Sequence, residues 1–311
     1  MNRNNPTTNP LRRRHVLAML GGVAAAGLLP AQWALAEGAA KLALAFDGDA
    51  LVVAGAQVWR HDLSGRDAAT LPAPRAPIRA LACHPARTGR LFAALDGGGL
   101  DRSDDGGRTW RAASGGLSQA QVTALAIAAG APDTLYAAVA GDGLWRSEDA
   151  GENWSFVMDR PWLAEAEREI LSLASVNLAS GMGGIWIYAG TDQGVTRVPD
   201  CFCRWQGVVA GDAMDALVAG TPPAAEAPLP EVEPVLALAS AMAAPERLVA
   251  ALPTGLWASA DGGVNWARVS NIAASALAIH PTDPNRIAAA TADGVLLCHD
   301  GGTAWAALST T

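Results

Sequence analysis

Four aspartates beside turn glycines are the first residues in this sequence that could do chemistry together. They are Asp96, Asp142, Asp192 and Asp293. Carboxylates gathered in a ring could bind a cation, or act as general acid and base on a glycan. However, the four recur at equivalent points of a repeated pattern, and tight turns select Asp beside Gly for backbone reasons alone. Turn chemistry is therefore the favoured interpretation.

Tyrosine and histidine give no clear active site. Tyr136 and Tyr188 share a position in an apolar stretch that Phe92 holds elsewhere, so we expect both to lie in the core. His84 and His280 each precede proline at equivalent points of the repeats, which indicates a turn role. The Cys and His spacings do not match a zinc or haem pattern. We expect no cofactor and no catalytic residue.

The stretch Cys201-Phe202-Cys203 is the one group of potentially reactive residues that the repeats do not explain. It replaces residues that are small or polar in the other repeats. The two thiols could form a strained, reducible disulfide, or supply two ligands to a soft metal such as Cu(I). They could equally be unrelated thiols, or one could pair with a partner protein. Cys83 and Cys298 lie in other repeats, and we expect them to be small buried residues.

An eight-residue repeat indicates the elements that position these groups. It reads Ser-x-Asp-x-Gly-x-Thr/Asn-Trp. Its Asp can accept backbone N–H groups, its Gly supplies a positive φ, and its Trp buries a large surface under the hairpin. The repeat contains no nucleophile and base pair, so its role is structural. Three copies are intact: Ser103, Asp105, Gly107 and Trp110; Ser147, Asp149, Gly151 and Trp154; and Ser259, Asp261, Gly263 and Trp266. A fourth copy is incomplete and keeps Asp300, Gly302 and Trp305.

These four stretches resemble the Asp-box, or BNR, repeat of sialidases, sortilin-type receptors and photosystem II stability/assembly-factor-like propellers. The resemblance implies a β-propeller, but the families that carry the repeat share a fold and not an activity. A sialidase would require three clustered arginines and a Tyr nucleophile paired with Glu. Only two tyrosines exist, and both are expected in the core.

The spacing of the repeats predicts the fold. Counting two degenerate copies, the repeats begin at positions 61, 103, 147, 198, 259 and 298. Each follows an apolar strand, a second strand and a glycine turn, and periods of about 40–50 residues with several short strands are typical of propeller blades. We predict an all-β, six-bladed propeller of four-stranded antiparallel blades. Seven blades remain open if the long gap before position 259 contains a divergent one.

The first 36 residues are expected to be a cleaved export signal. Arg12, Arg13 and Arg14 precede an apolar run shorter than the roughly 20 residues of a membrane span, and Ala34-Leu35-Ala36 resembles a cleavage site. The pair Arg13-Arg14 resembles a twin-arginine signal, with Val16 in place of the usual Phe. An ordinary secretory signal is the alternative. We expect a periplasmic or secreted protein with a single propeller domain over 37–311.

The net charge of the chain restricts the classes of molecule that it is expected to bind. The whole chain has a net charge of −8, and the predicted signal removes four arginines and no acid. An acidic surface disfavours nucleic acid and anionic membranes. We expect no transmembrane segment after signal removal, a monomer, and a partner that is another exported or membrane-associated protein.

Two insertions interrupt the repeats, at 157–169 and 207–234. Both follow a fourth strand, which predicts that both lie at the mouth of the central channel, where recognition loops usually sit. We expect one or two helical turns after Pro161. The candidate binding residues at this mouth are Arg160, Trp162, Glu165, Arg168, Asp142 and Asp192.

Two functions fit this pattern. The favoured hypothesis is a non-catalytic, exported propeller that binds a protein partner as an assembly, maturation or scaffold factor. The alternative is a sialidase-like or other glycoside hydrolase or lyase that acts on extracellular glycans through the carboxylates at the channel mouth.

Overall fold

The structure, a computed structural model, describes residues 41–64, 68–178, 184–209 and 225–308. Within these ranges the chain forms strands, turns and links, and no helix. No helix that could cross a bilayer is therefore found in the described part of the chain. The predicted export segment, residues 1–36, lies outside the described ranges, as does the middle of the predicted insertion at 207–234.

Six antiparallel four-stranded sheets, here called blades, follow one another along the chain, and in each the strands are ordered as in the sequence. Blade 1 contains β1 (Ala43–Asp47), β2 (Ala50–Ala54), β3 (Val58–Asp62) and β4 (Ala68–Leu71), and blade 2 contains β5 (Ile78–Cys83), β6 (Leu91–Leu95), β7 (Leu100–Ser103) and β8 (Arg111–Ala112). Blade 3 contains β9 (Val122–Ile127), β10 (Leu135–Val139), β11 (Gly143–Ser147) and β12 (Ser155–Met158), and a separate hairpin of β13 (Trp162–Leu163) and β14 (Ala166–Glu167) follows it.

The second half of the ring has the same plan. Blade 4 contains β15 (Ser172–Asn177), β16 (Ile185–Thr191), β17 (Gly194–Pro199) and β18 (Gln206–Gly207). Blade 5 contains β19 (Ala237–Ala241), β20 (Ala244–Leu252), β21 (Gly255–Ser259) and β22 (Ala267–Ser270). Blade 6 contains β23 (Ala276–Ile279), β24 (Ile287–Thr291), β25 (Gly294–Cys298) and β26 (Trp305–Ala307).

The blades form a closed ring of six. The first strand of each blade lies beside the first strands of both neighbours, and β23 of the last blade lies beside β1 of the first. Leu44 and Phe46 pack against Ala288 at this closure, and the Arg286 guanidinium lies 3.1 Å from the Asp49 carboxylate. Each blade contains four consecutive strands, and no blade combines strands from the two ends of the described chain. Blades 1 and 6 are therefore joined by side-chain contacts. The six-bladed prediction is confirmed, and the seven-bladed alternative is not.

The second strand of each blade is buried on both faces. In β6 and β10 every residue is buried, because the two faces of a blade pack against the blades on either side. A strand covered on both faces has a continuous apolar run in place of an alternating one. The many alanines of these strands, such as Ala93 and Ala137, allow neighbouring sheets to approach closely.

The loops divide into two rims. The turn rim carries the links between first and second strands and the turns between third and fourth strands. The link rim carries the turns between second and third strands and the links between blades. Two cavities, of about 180 Å³ towards the turn rim and about 90 Å³ towards the link rim, occupy the central channel. Both are lined by one leucine from each innermost strand: Leu44, Leu81, Leu125, Leu173, Leu238 and Leu277.

The repeated turns are closed by a small hydrogen-bond network. In blade 3, the Ser147 hydroxyl donates to Asp149 at 2.8 Å and accepts the Gly151 N–H at 2.9 Å. Asp149 also accepts the backbone and side-chain N–H groups of Asn153, at 2.9 and 2.7 Å. Blade 6 reproduces the pattern with sulfur, since Cys298 Sγ accepts the N–H of Gly302 at 2.9 Å.

Neighbouring blades are also joined by ionic contacts on the turn rim. The buried His84 of blade 2 accepts the Ala86 N–H through Nδ1 at 3.1 Å, while its Nε2 lies 3.5 Å from the Asp133 carboxylate of blade 3. Arg90 contacts the same carboxylate at 3.3 Å. Burial of the imidazole outweighs the nearby carboxylate and lowers the pKa of His84.

We predict that Ser147→Ala lowers the free energy of unfolding by about 1–3 kcal/mol, because the buried Gly151 N–H loses its acceptor. Urea denaturation measures the change. The exposed Ser155→Ala is the control, and Cys298→Ser should be tolerated because a hydroxyl fills the same role in blade 3. Equal effects of Ser147→Ala and Ser155→Ala would contradict the network.

The lowered pKa of His84 predicts a loss of stability in mild acid. The unfolded chain takes up the proton near pH 6.5, before the folded protein does, so the contribution of His84 is complete above that pH and declines below it. His84→Asn keeps an acceptor for the Ala86 N–H and should flatten the stability profile between about pH 5 and 6.5. The substitution His299→Asn, at an exposed position, is the control for the effect of replacing any histidine by asparagine. An unaltered profile in His84→Asn would rule out this role.

Candidate functional site

The predicted helical turns after Pro161 are wrong: this segment forms the hairpin β13–β14. Trp162 pairs with Glu167, and Leu163 pairs with Ala166. Ala164 and Glu165 make the two-residue turn with φ values of 49° and 61°. Two successive positive φ values match the twist of a tight hairpin, but they are unusual for residues other than glycine.

Ion pairs within the hairpin segment, and a hydrogen bond from the Gly141 N–H to Glu169, hold the hairpin against blade 3 on the link rim. Arg160 forms ion pairs with both Glu167 and Glu169. The Glu169 carboxylate in turn accepts the Gly141 N–H at 3.1 and 3.2 Å, beside the turn of Asp142. The hydrogen bond that Arg160 donates to the Glu169 carboxylate raises the pKa of Arg160. The charge of Arg160 is therefore neutralised within the hairpin.

Arg168 fastens the hairpin to blade 4. Its guanidinium donates to the carbonyl oxygens of Leu163 and Ala164 at 3.0 and 3.2 Å, across the hairpin turn. It also contacts the Asp192 carboxylate at 3.2 Å, on the turn between the second and third strands of blade 4. The two predicted site residues Arg168 and Asp192 are thus brought into direct contact.

Two further contacts hold the base of the hairpin. Gly143 has a φ of 133°, and a Cβ placed there would lie 2.4 Å from the Met158 carbonyl oxygen. The chain therefore passes so close to this turn that only glycine fits. On the other side, the Trp205 indole of blade 4 donates to the Asp159 carbonyl oxygen at 2.7 Å.

Trp162 projects from this anchored hairpin into solvent, with 63% of its surface exposed. Glu165 is also exposed at the tip. Among the described residues, the other large apolar side chains with high exposure are Phe156, Val232 and Met242. We call the exposed face of residues 159–169 around Trp162 the hairpin surface.

Three of the four aspartates of the link rim have separate partners for their carboxylates. Asp142 accepts the Trp145 indole N–H at 3.0 Å, and Asp192 pairs with Arg168. Asp96 lies 3.6 Å from Arg79. These carboxylates are therefore engaged individually in turn and ion-pair contacts.

The described part of the second insertion runs along blade 5. Ala227 accepts the backbone N–H of Trp266 at 2.7 Å on the outer edge of the blade. Glu233 then accepts the Thr254 hydroxyl at 2.8 Å on the link rim. Among the described residues after 224, those near Glu233, with the exposed Val232, lie at the rim that the sequence predicts for the insertion, whereas Ala227 does not.

The two tyrosines are buried between blades. Tyr136 donates to the Asp200 carboxylate of blade 4 at 2.6 Å, and burial together with this hydrogen bond raises the pKa of Tyr136. Tyr188 donates to the Gly262 carbonyl oxygen of blade 5 at 2.8 Å and accepts a hydrogen bond from Arg197. Both side chains serve inter-blade packing, in the core positions that the sequence predicts.

Cys201 and Cys203 lie on the turn rim of blade 4 and are joined by a disulfide. No group of three or more metal-ligating side chains is found in the parts of the chain that the structure describes.

The hairpin surface carries paired charges around one exposed aromatic side chain. Its arginine and carboxylate side chains are paired with one another. They can therefore form a polar border around Trp162 without requiring a charged ligand to neutralise them. Trp162 supplies an exposed aromatic group on a rigid support, and aromatic anchors dominate binding energy in protein interfaces. The sequence analysis names Trp162, Arg160 and Arg168 as binding candidates, and the structure brings them together in this hairpin; their binding role stays a prediction. The sequence analysis does not name Glu167, Glu169, Gly143 and Trp205, which fix the hairpin in place.

Comparisons with known proteins support the fold. No family model matches the sequence, and no curated protein matches it. A GH74 enzyme from Niastella koreensis superposes with a TM-score of 0.54 at 14% identity over 85% of this chain and 46% of that chain. A GH74 xyloglucanase from Xanthomonas campestris gives 0.50 at 21% identity, over 84% and 45%. This chain thus spans less than half the length of either enzyme.

A third similar structure is that of YCF48 bound to D1 peptide. It superposes with a TM-score of 0.50 at 15% identity, over 82% of this chain and 77% of that chain. These identities are low, so the likeness establishes a propeller fold and leaves activity to be argued from the site.

We predict that Gly143→Ala destabilises the protein by about 1–3 kcal/mol more than Gly294→Ala, because the added methyl group collides with Met158 and the hairpin base. Gly294 is a matched control: it occupies the same turn of blade 6 with the same φ of 133°, and a Cβ there has nothing within 4 Å. Thermal or urea unfolding measures both variants. Equal losses of stability in Gly143→Ala and Gly294→Ala would show that the close approach of Met158 does not require glycine at position 143.

Proposed function

We propose that this protein is an exported, non-catalytic propeller that binds a partner protein through the hairpin surface and helps to assemble, mature or support another exported complex. The exposure of Trp162 on a hairpin fixed to two blades carries the proposal. An anchored tryptophan loses little conformational freedom on binding, so the area it buries favours association.

The resemblance to YCF48 is consistent with this function, since that protein was solved bound to D1 peptide. We further propose that the four closed turns are Asp-box repeats, in which the aspartate stabilises the corner of a blade. The 36-residue leader, with its paired arginines, supports export to the periplasm or beyond.

Photo-crosslinking from position 162 tests the proposal. The full-length chain, tagged at its C-terminus, would carry a crosslinking residue in place of Trp162 or of the control Phe156, which is 45% exposed on the outer strand of blade 3. We expect a discrete partner from position 162 and none from position 156. The partner, once purified, should bind Trp162→Ala about 30-fold more weakly than wild type, as for an interface hot spot, and Phe156→Ala normally.

Two outcomes would contradict the proposal. Unchanged affinity of Trp162→Ala would remove the hairpin surface from the interface. Hydrolysis of a polysaccharide by the purified protein, abolished by Asp142→Asn or Asp192→Asn, would favour the glycoside hydrolase alternative instead. Fractionation of the same cells tests export separately, because recovery of the chain only from the cytoplasm would contradict that part alone.

A further inference from the structure

The turn between the third and fourth strands of blade 4 carries a covalent bond in addition to a backbone hydrogen bond, which the Phe202 N–H donates to the Pro199 carbonyl oxygen at 2.8 Å. Val198 stands where blade 3 has the Ser147 hydroxyl, so the acceptor that closes the other turns is lost. Cys201 and Cys203 form a disulfide across a single residue instead, with Cα atoms 5.5 Å apart. Closure of this turn therefore includes a bond that redox chemistry can open.

Side chains beside the disulfide hold the turn without the sulfur atoms. Asp200 is released from its usual turn contacts and accepts the Tyr136 hydroxyl at 2.6 Å. The Phe202 ring packs edge-on against Tyr136, with centroids 6.2 Å apart, and the Arg146 guanidinium lies 5.3 Å from its centre. None of these contacts is made by a sulfur atom, so they can keep the turn in place after reduction while the backbone of Phe202 relaxes.

Both cysteines of the pair are exposed to solvent, whereas Cys83 is only partly exposed and Cys298 is buried. An incoming thiolate can therefore reach either sulfur of the disulfide. Cys83 and Cys298 belong to blades 2 and 6, away from blade 4, so neither of them is placed to attack it. The reacting thiol must come from another molecule.

The backbone of Phe202 favours opening of the disulfide. Its φ is 52°, and the equivalent residues Gly107, Gly151 and Gly263 have φ values of 91°, 88° and 89°. A residue with a Cβ is strained in this region of backbone space, and glycine is not. The disulfide joins the residues on either side of Phe202 and therefore restricts this backbone, together with the hydrogen bond to Pro199. Reduction removes one of these restraints and allows the strain to relax. Exposed disulfides under strain are the labile and catalytic ones.

We propose that the Cys201–Cys203 disulfide is a thiol–disulfide exchange site that oxidises a pair of cysteines in another protein. A substrate thiolate attacks one sulfur, so that a mixed disulfide forms and the Cys201–Cys203 bond breaks to leave a thiolate. The second substrate thiolate then attacks the first substrate sulfur, which is held in the mixed disulfide. The substrate disulfide forms, and the second cysteine of the pair leaves as a thiolate. The substrate dithiol loses two electrons and two protons and becomes a disulfide, while Cys201 and Cys203 become thiols.

A dithiol peptide, with two cysteines separated by two residues, tests the activity. The oxidised full-length protein is mixed with the reduced peptide under anaerobic conditions, and both are then alkylated and weighed by mass spectrometry. We expect each protein molecule to oxidise one peptide and to gain alkyl groups at Cys201 and Cys203. The double variant Cys201→Ser/Cys203→Ser should oxidise none, and Cys83→Ser/Cys298→Ser should match wild type. A peptide left reduced by wild type, or oxidised equally by the first double variant, would overturn the proposal.

A second comparison tests the contribution of the backbone. Phe202→Gly and Phe202→Ala both remove the aromatic ring and differ only in their tolerance of a positive φ. In a glutathione redox buffer, the disulfide of Phe202→Ala should be about fivefold easier to reduce than that of Phe202→Gly. Equal or reversed resistance would show that strain at residue 202 does not drive the exchange.

Discussion

The structure depends on the burial of each second strand between two neighbouring blades. A four-stranded sheet whose inner strands are apolar on both faces cannot be stable alone, because each face requires a cover. Apolar clusters accordingly lie between successive blades, and one of them joins blade 6 to blade 1 through Leu44, Phe46 and Ala288. Closure of the ring is therefore a requirement of the apolar pattern, and it leaves the outer strands and rims free to vary.

Polar contacts on the rims then fix how the blades meet. The recurring device is a side chain of one blade that bonds to a turn of the next. Tyr188 donates to the Gly262 carbonyl oxygen, Arg102 donates to that of Ala150, and Arg247 donates to that of Gly301. Such contacts satisfy turn carbonyls that the sheet leaves unpaired, and each specifies the position of one blade relative to its neighbour. A rim built in this way is a rigid support for the hairpin of β13 and β14.

The departures from the repeat gather at blade 4. The hairpin surface precedes this blade on the link rim, and the Cys201–Cys203 turn closes it on the turn rim. The two features are joined on the outer edge, where Trp205 follows the disulfide and donates to the carbonyl oxygen of Asp159 at the base of the hairpin. A repeated scaffold carries its special chemistry where the repeat is broken, and here both proposed activities lie beside the same blade.

The sequence by itself determined the blades, because a turn network such as Ser147, Asp149 and Gly151 forms within a few residues and its period is visible directly. It also placed Tyr136 and Tyr188 in the core by their register. The tertiary structure decided the rest. The run from Leu163 to Glu169 is rich in helix-forming residues, yet it forms a hairpin because Arg160 meets Glu167 and Glu169, and Arg168 meets Asp192 of the next blade. The hydrogen bonds of a turn form between residues that are close in the sequence, so the sequence predicts them. The ion-pair partner of a charged side chain can belong to a distant segment, and only the folded structure shows which one.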